Sequence, residues 1–138
     1  MLFPVPEKYL QRILDEGKDV FVKYLPKSTS KLEPGHKIIF YASQGSKHIA
    51  GEAVIADIEF LTPEEIVSRY STRLFITKGE LEQYTKGQPL RSSDKPLFVA
   101  IMKRIKKYAK RVVFTGHITM TGSHVTLQYY RQIVNQAH

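Results

Sequence analysis

The chain has no cysteine and no tryptophan, and beyond Asp94 it has no carboxylate side chain. The first absence excludes disulfides, thiolate nucleophiles, iron–sulfur clusters and the usual structural zinc sites together. It fits a reducing compartment, and the expected location is the cytoplasm. Long apolar runs are missing as well. The longest, LFVAIM at 97–102, is far short of the roughly 20 residues that cross a bilayer as a helix. The opening MLFPVPEKYL has two early prolines and no basic stretch ahead of an apolar one, unlike a signal peptide. No membrane partner is expected.

The missing carboxylates say most. Residues 1–94 hold 13 Lys or Arg against 13 Asp or Glu, so the net charge of +8 lies wholly in 95–138. Six of the cations crowd into KRIKKYAKR at 103–111. A cluster that dense marks either an anionic partner or a solvated turn that keeps a sheet edge soluble. Lys103, Arg104, Lys106, Lys107, Lys110 and Arg111 are suited to neutralising phosphates, and Tyr108 among them to stacking on a base.

What is present is ordinary globular material: 138 residues, 42% hydrophobic and 25% charged. That is enough for one domain over 1–138 with a core that needs no metal or staple. EKYLQRILDEG after Pro6 predicts a helix with Tyr9, Leu10, Ile13 and Leu14 on one face and Gly17 ending it. VFVKYL at 20–25 alternates like a strand. A loop over 26–36 ends in a Pro34–Gly35 turn into HKIIFYAS, and a second turn at 44–47 leads to HIAGEAVIADIEFL, a long strand or bent pair with a bulge at Gly51. Thr62, Pro63 and Glu65 match a capped helix start, and Thr77 with Glu80 repeats the spacing. PLFVAIMKRI then predicts a strand, followed by a basic turn, a further strand around VVFTG, and a closing helix LQYYRQIVNQ capped by Thr126. Strands packed with peripheral helices predict an α+β fold on a curved or closed, mostly antiparallel sheet.

Catalytic motifs are scarce. His36, His48, His117, His124 and His138 have no zinc-helix spacing, and there is neither a nucleophile elbow nor a phosphate loop. Neither a metal nor a cofactor is expected. Strand alternation makes Phe21, Lys23, Lys37 and Tyr41 a candidate pocket, with an aromatic ring and a cation available to a nucleobase. Ser43, Gln44 and Ser46 lie beside them, and Thr119, Thr121 and Ser123 make a hydroxyl-rich turn.

In order along the chain, ILDEGKDVFVK (13–23), LEPGHKIIFYAS (32–43), HIAGEAVIADIEFL (48–61), PLFVAIMKRIKKYAKRV (96–112) and TMTGSHVTLQYYRQIV (119–134) resemble the PUA-like superfamily, in particular its ASCH-related branch and archaeal proteins beside it. The resemblance implies a PUA-like pseudo-β-barrel with flanking helices, used to hold RNA or a modified nucleobase. ASCH-like members carry Thr, Glu and Arg after the Gly-Lys of the first strand, where this chain has Asp19, Phe21 and Lys23. The reading reached is an RNA-binding protein, its partner a transfer RNA, a ribosomal RNA or a modified nucleoside. Lys18 and Lys23 would stand at its pocket and the 103–111 cations at its rim. The alternative implied by the resemblance is an amidohydrolase-like enzyme on a modified nucleoside, with Lys18 as base or nucleophile and Asp19 or Glu52 as its partner.

Overall fold

The computed structural model describes residues 1–23, 32–43, 47–86, 96–114 and 125–137. Expectations for Tyr24, Leu25, Gln44, Ser46, His117, Thr119, Thr121, Ser123, His124 and His138, and for the strand end at 115–116, lie outside those residues.

Five described strands form one sheet in the order β1-β3-β4-β5-β2. They are β1 (Leu2–Val5), β2 (Val20–Lys23), β3 (Lys37–Ala42), β4 (Ile49–Leu61) and β5 (Leu97–Val112). β1 runs parallel to β3, and every other pairing is antiparallel. Strand β1, Pro4 included, is an addition to the sequence reading, which assigned no element to residues 2–5. A proline is tolerated in an outermost strand, where its missing N–H costs no ladder bond. Although β1 and β2 are the two ends of the strand order, the rings of Phe3 and Phe21 lie 5.6 Å apart. The sheet therefore curls until its edges meet through side chains, an α+β pseudo-barrel.

Phe3, Phe21, Phe40 and Phe98 fill the concave side and are fully buried. Helix α1 (Glu7–Leu14) adds Leu10 and Ile13 to that core, and Gly17 turns the chain toward β2 with a positive φ of 73° that favours glycine. Helix α2 (Pro63–Tyr70) begins with the anticipated capping box, Thr62 and Glu65 each bonding the other's backbone N–H. Helix α3 (Lys78–Lys86) repeats the arrangement with Thr77 and Glu80. Helix α4 (Leu127–Ala137) lies on the convex side, where Ile133 and Ala137 pack with Leu2, Ile39, Ile49, Tyr108 and Val112. Among the described residues no helix is long and apolar enough to cross a membrane.

One expectation is overturned. Residues 103–111 are not a turn between two strands but the second half of β5, which runs unbroken from Leu97 to Val112. The segment contains no Gly, Pro, Asn or Asp, so nothing in it supplies turn geometry. Its length is reconciled with β4 by bulges: Arg104 and Ile105 together stand opposite Ala53, and Arg104 takes a φ of 51°.

Candidate functional site

Glu52 is the one buried charged residue among those described, at 6% exposure. It follows a bulge at Ala50, since Tyr41 pairs with Ile49 while its neighbour Phe40 pairs with Gly51. The next residue, Glu52, stands opposite Ile39 and therefore on the α4 side of the sheet. There Tyr130 of α4 donates its hydroxyl to the carboxylate, with Oη 2.9 Å from Oε1 and 2.8 Å from Oε2. The Tyr108 hydroxyl of β5 donates to Oε1 at 3.0 Å. Lys37 of β3 completes the set, its Nζ 2.6 Å from the Tyr130 oxygen and 3.3 Å from Glu52 Oε2. A buried carboxylate without partners would be costly, and this one has its lone pairs filled from three elements.

The electrostatics follow from that packing. The Lys37 ammonium is held above its usual pKa, first by its bond to Tyr130 and then by the Glu52 charge, with burial working the other way. Burial raises Tyr130, and it raises Tyr108 much further, with Glu52 adding to both. The phenols stay protonated and the lysine stays a cation through neutral pH.

Lys37 and Tyr130 also line a cleft of about 510 Å³, whose walls include Met1, Leu32, Ile39, Val125 and Leu127. His36 lies on the same wall. Its Nδ1 accepts the Glu33 N–H at 3.2 Å, so in the neutral ring the proton sits on Nε2. Apolar walls with a few fixed donors suit a small planar ligand, and the volume is in the range of such sites. Among the described residues no three of His, Cys, Asp and Glu gather as a metal site would need.

The residues singled out from sequence are spread over both sides of the sheet. Lys37 is at the cleft and Tyr41 is on the same face, its ring 6.3 Å from that of Phe114. Phe21 is 1% exposed and packed among Phe3, Phe40 and Phe75, so it offers no ring face to a base. Lys23 has its ammonium 5.7 Å from the Phe3 ring, on the concave side. Lys18 donates to the Thr72 carbonyl at 2.9 Å, and Asp19 pairs with Arg73 at 2.9 and 3.0 Å. Of the carboxylates offered to Lys18 as alternatives, Asp19 is thus engaged by Arg73, and Glu52 by Lys37 and two tyrosines. Tyr108, read as a stacking ring, is 7% exposed and spends its hydroxyl on Glu52. Lys103, Arg104, Lys106, Lys107, Lys110 and Arg111 are all exposed along β5. Tyr130 was missed, although, half-buried itself, it stands in line with the buried Ile133 and Ala137 at helical spacing.

A family model described as DUF365, a domain of unknown function, matches residues 1–127. The chain belongs to that family. This DUF365 chain is 35% identical over 106 residues to an uncharacterized protein of Methanocaldococcus jannaschii, MJECS03, a match covering 72% of this chain and 98% of that one. In three dimensions it is similar to the ASCH protein of Zymomonas mobilis, with a TM-score of 0.80 at 12% identity, over 97% of this chain and 92% of that one. The N-terminal domain of Staphylothermus marinus McrB gives a TM-score of 0.63 at 17% identity, over 98% and 91%. At such identities the likeness shows the fold, and the DUF365 chain has the ASCH-type, PUA-like pseudo-barrel.

Proposed function

We propose that this protein binds RNA and takes one base, natural or modified, into the cleft beside Lys37 and Tyr130. The observation that carries the reading is the buried Glu52, which engages two of the polar side chains that line that cleft, Lys37 and Tyr130. A buried ion pair is seldom the cheapest way to stabilise a core. Its evident product here is a lysine held at a fixed place as a hydrogen-bond donor. With three N–H groups and contacts to Tyr130 and Glu52, Lys37 retains a donor for an acceptor atom on a base edge. Leu32, Ile39, Val125 and Leu127 give the ring apolar walls, and Tyr130 gives it an aromatic neighbour. The ASCH-type fold supports the same reading, since folds of this kind are used to hold RNA.

The hydrolase alternative finds less support. Its candidate, Lys18, donates to the Thr72 carbonyl and does not line the cleft. A lysine acts as base or nucleophile at neutral pH when its pKa is depressed, and Lys37, the lysine that does line the cleft, is shifted in the opposite direction. Fluorescence anisotropy with labelled transfer RNA, single-stranded RNA and duplex DNA, at about 50 and 200 mM salt, tests the proposal. RNA is expected to bind in preference to duplex DNA and more weakly at the higher salt. Lys37→Ala should lower RNA affinity about tenfold, the value of one charge-assisted hydrogen bond. No RNA binding at 50 mM salt would overturn the reading.

A further inference from the structure

The cations of 103–111 do not form one patch. Partners across an antiparallel ladder share a face. Lys37, Val54 and Lys103 stand in one row across β3, β4 and β5, and Ile39, Glu52 and Lys106 in the next. Residues three apart in a regular strand point to opposite faces. The extra residue of the Arg104 bulge returns Lys103 and Lys106 to the same one. Lys107 goes the other way. It stands opposite Gly51, which faces Leu14 of α1, and its ammonium bonds Asp15 at the end of that helix at 2.8 Å. By period two, Arg111 shares the face of Lys107.

Lys37, Lys103 and Lys106 are exposed, with half-buried Val54 between Lys37 and Lys103, on the side of the sheet that carries the cleft. Neighbouring strands lie about 4.8 Å apart, so Lys37 and Lys103 are separated by about twice that at the backbone, close enough for one to meet a base and the other a phosphate near it. Glu52, the carboxylate among them, is buried and already engaged by Lys37. The shelf is thus positive and leads to the mouth of the cleft.

We propose that Lys103 and Lys106 carry the backbone of a single-stranded RNA across this face toward the cleft, where Lys37 meets the base, while Lys107 and Arg111 on the opposite face take no phosphate. The inference rests on the RNA-binding reading above and gives the strand its path. It commits to a single strand because a base must be unpaired and splayed out to enter a cleft.

The test compares Lys103→Ala/Lys106→Ala with Lys107→Ala/Arg111→Ala, both confirmed as folded by circular dichroism. Anisotropy with one labelled single-stranded RNA is recorded at salt concentrations from about 50 to 200 mM. Each phosphate contact contributes about 0.7 to the slope of log affinity against log salt for a single strand. The shelf variant should therefore lose about 1.4 from the wild-type slope, and the opposite-face variant should keep it. Equal losses in both variants, or a loss confined to the opposite-face pair, would overturn the path while leaving RNA binding intact. Equal competition by an unlabelled duplex of the same sequence would overturn the single-strand assignment. A wild-type protein that binds no RNA at the lowest salt would instead overturn the underlying reading, and the path with it.

Discussion

The hydroxyl of Tyr130 does two jobs at once, donating to Glu52 and accepting from Lys37. Removing it leaves a buried carboxylate short of a donor and an ammonium short of its nearest acceptor. Tyr130→Phe should cost about 1–3 kcal/mol of stability, the range for an unsatisfied buried polar group, and should weaken RNA binding as Lys37 loses its fixed position. Tyr108→Phe should cost a similar amount, because its hydroxyl also serves Glu52, with a smaller change in affinity. Urea denaturation and anisotropy on the two variants check this, and equal affinity losses would mean that Lys37 is not held through Tyr130. At this scale the sequence was partly legible. A glutamate inside the apolar stretch IAGEAVIA signals a special environment, but which lysine answers it depends on pairing that local pattern does not contain. Phe21 shows the converse, since alternation finds its strand but not which side of the finished sheet is the core.

Among the elements, those governed by local chemistry were readable. The Thr62–Pro63–Glu65 start of α2 and the Gly17 turn after α1 need only residues a few positions apart. Strand β1 was not readable, because what makes LFPV a strand is its alignment with Ile39, Phe40, Tyr41 and Ala42 of β3. A bulge was anticipated at Gly51 and falls next to it, at Ala50, and the packing of Gly51 gives the reason for its glycine. A Cβ there would lie 2.5 Å from the Lys106 carbonyl oxygen and 2.8 Å from Leu14 Cδ2. The first neighbour is backbone and cannot rotate away, so β4 and β5 would have to separate. Gly51→Ala should therefore destabilise the protein by about 1–3 kcal/mol, as overpacked cores do, read as a lowered urea midpoint. An unchanged midpoint would show that the β4–β5 spacing yields freely.

For the whole molecule, long-range ties join pieces distant in sequence. Arg12 of α1 grips Glu80 of α3 and also donates to the Phe75 carbonyl at 3.2 Å. The Arg12 guanidinium, with the Thr77 backbone and hydroxyl, holds the Glu80 carboxyl down to about 2 from its ordinary 4.5. A carboxyl whose pKa is lower folded than unfolded stabilises the fold above the unfolded value and loses that contribution as pH falls toward the folded one. Wild-type protein should thus melt at a higher temperature than Glu80→Gln at pH 7, and the gap should close between about pH 4.5 and pH 2. A gap that stays constant with pH would mean the ionised form adds nothing.

The strand order also sets a timetable. β1, β3 and β4 all lie within the first 61 residues and pair with one another. β2 comes before β3 in the chain, yet its ladder partner is Phe98–Ile101 of β5. Pairings between segments so far apart pay a large loop-closure cost and slow the folding of the chains that contain them. On a ribosome, where the N-terminal part emerges first, Val20–Lys23 is synthesised early and must wait for β5 before it can take its place in the sheet. Joining the two edges at Phe3 and Phe21 belongs to the last stage of assembly, when nearly all of the strand-forming sequence has been made.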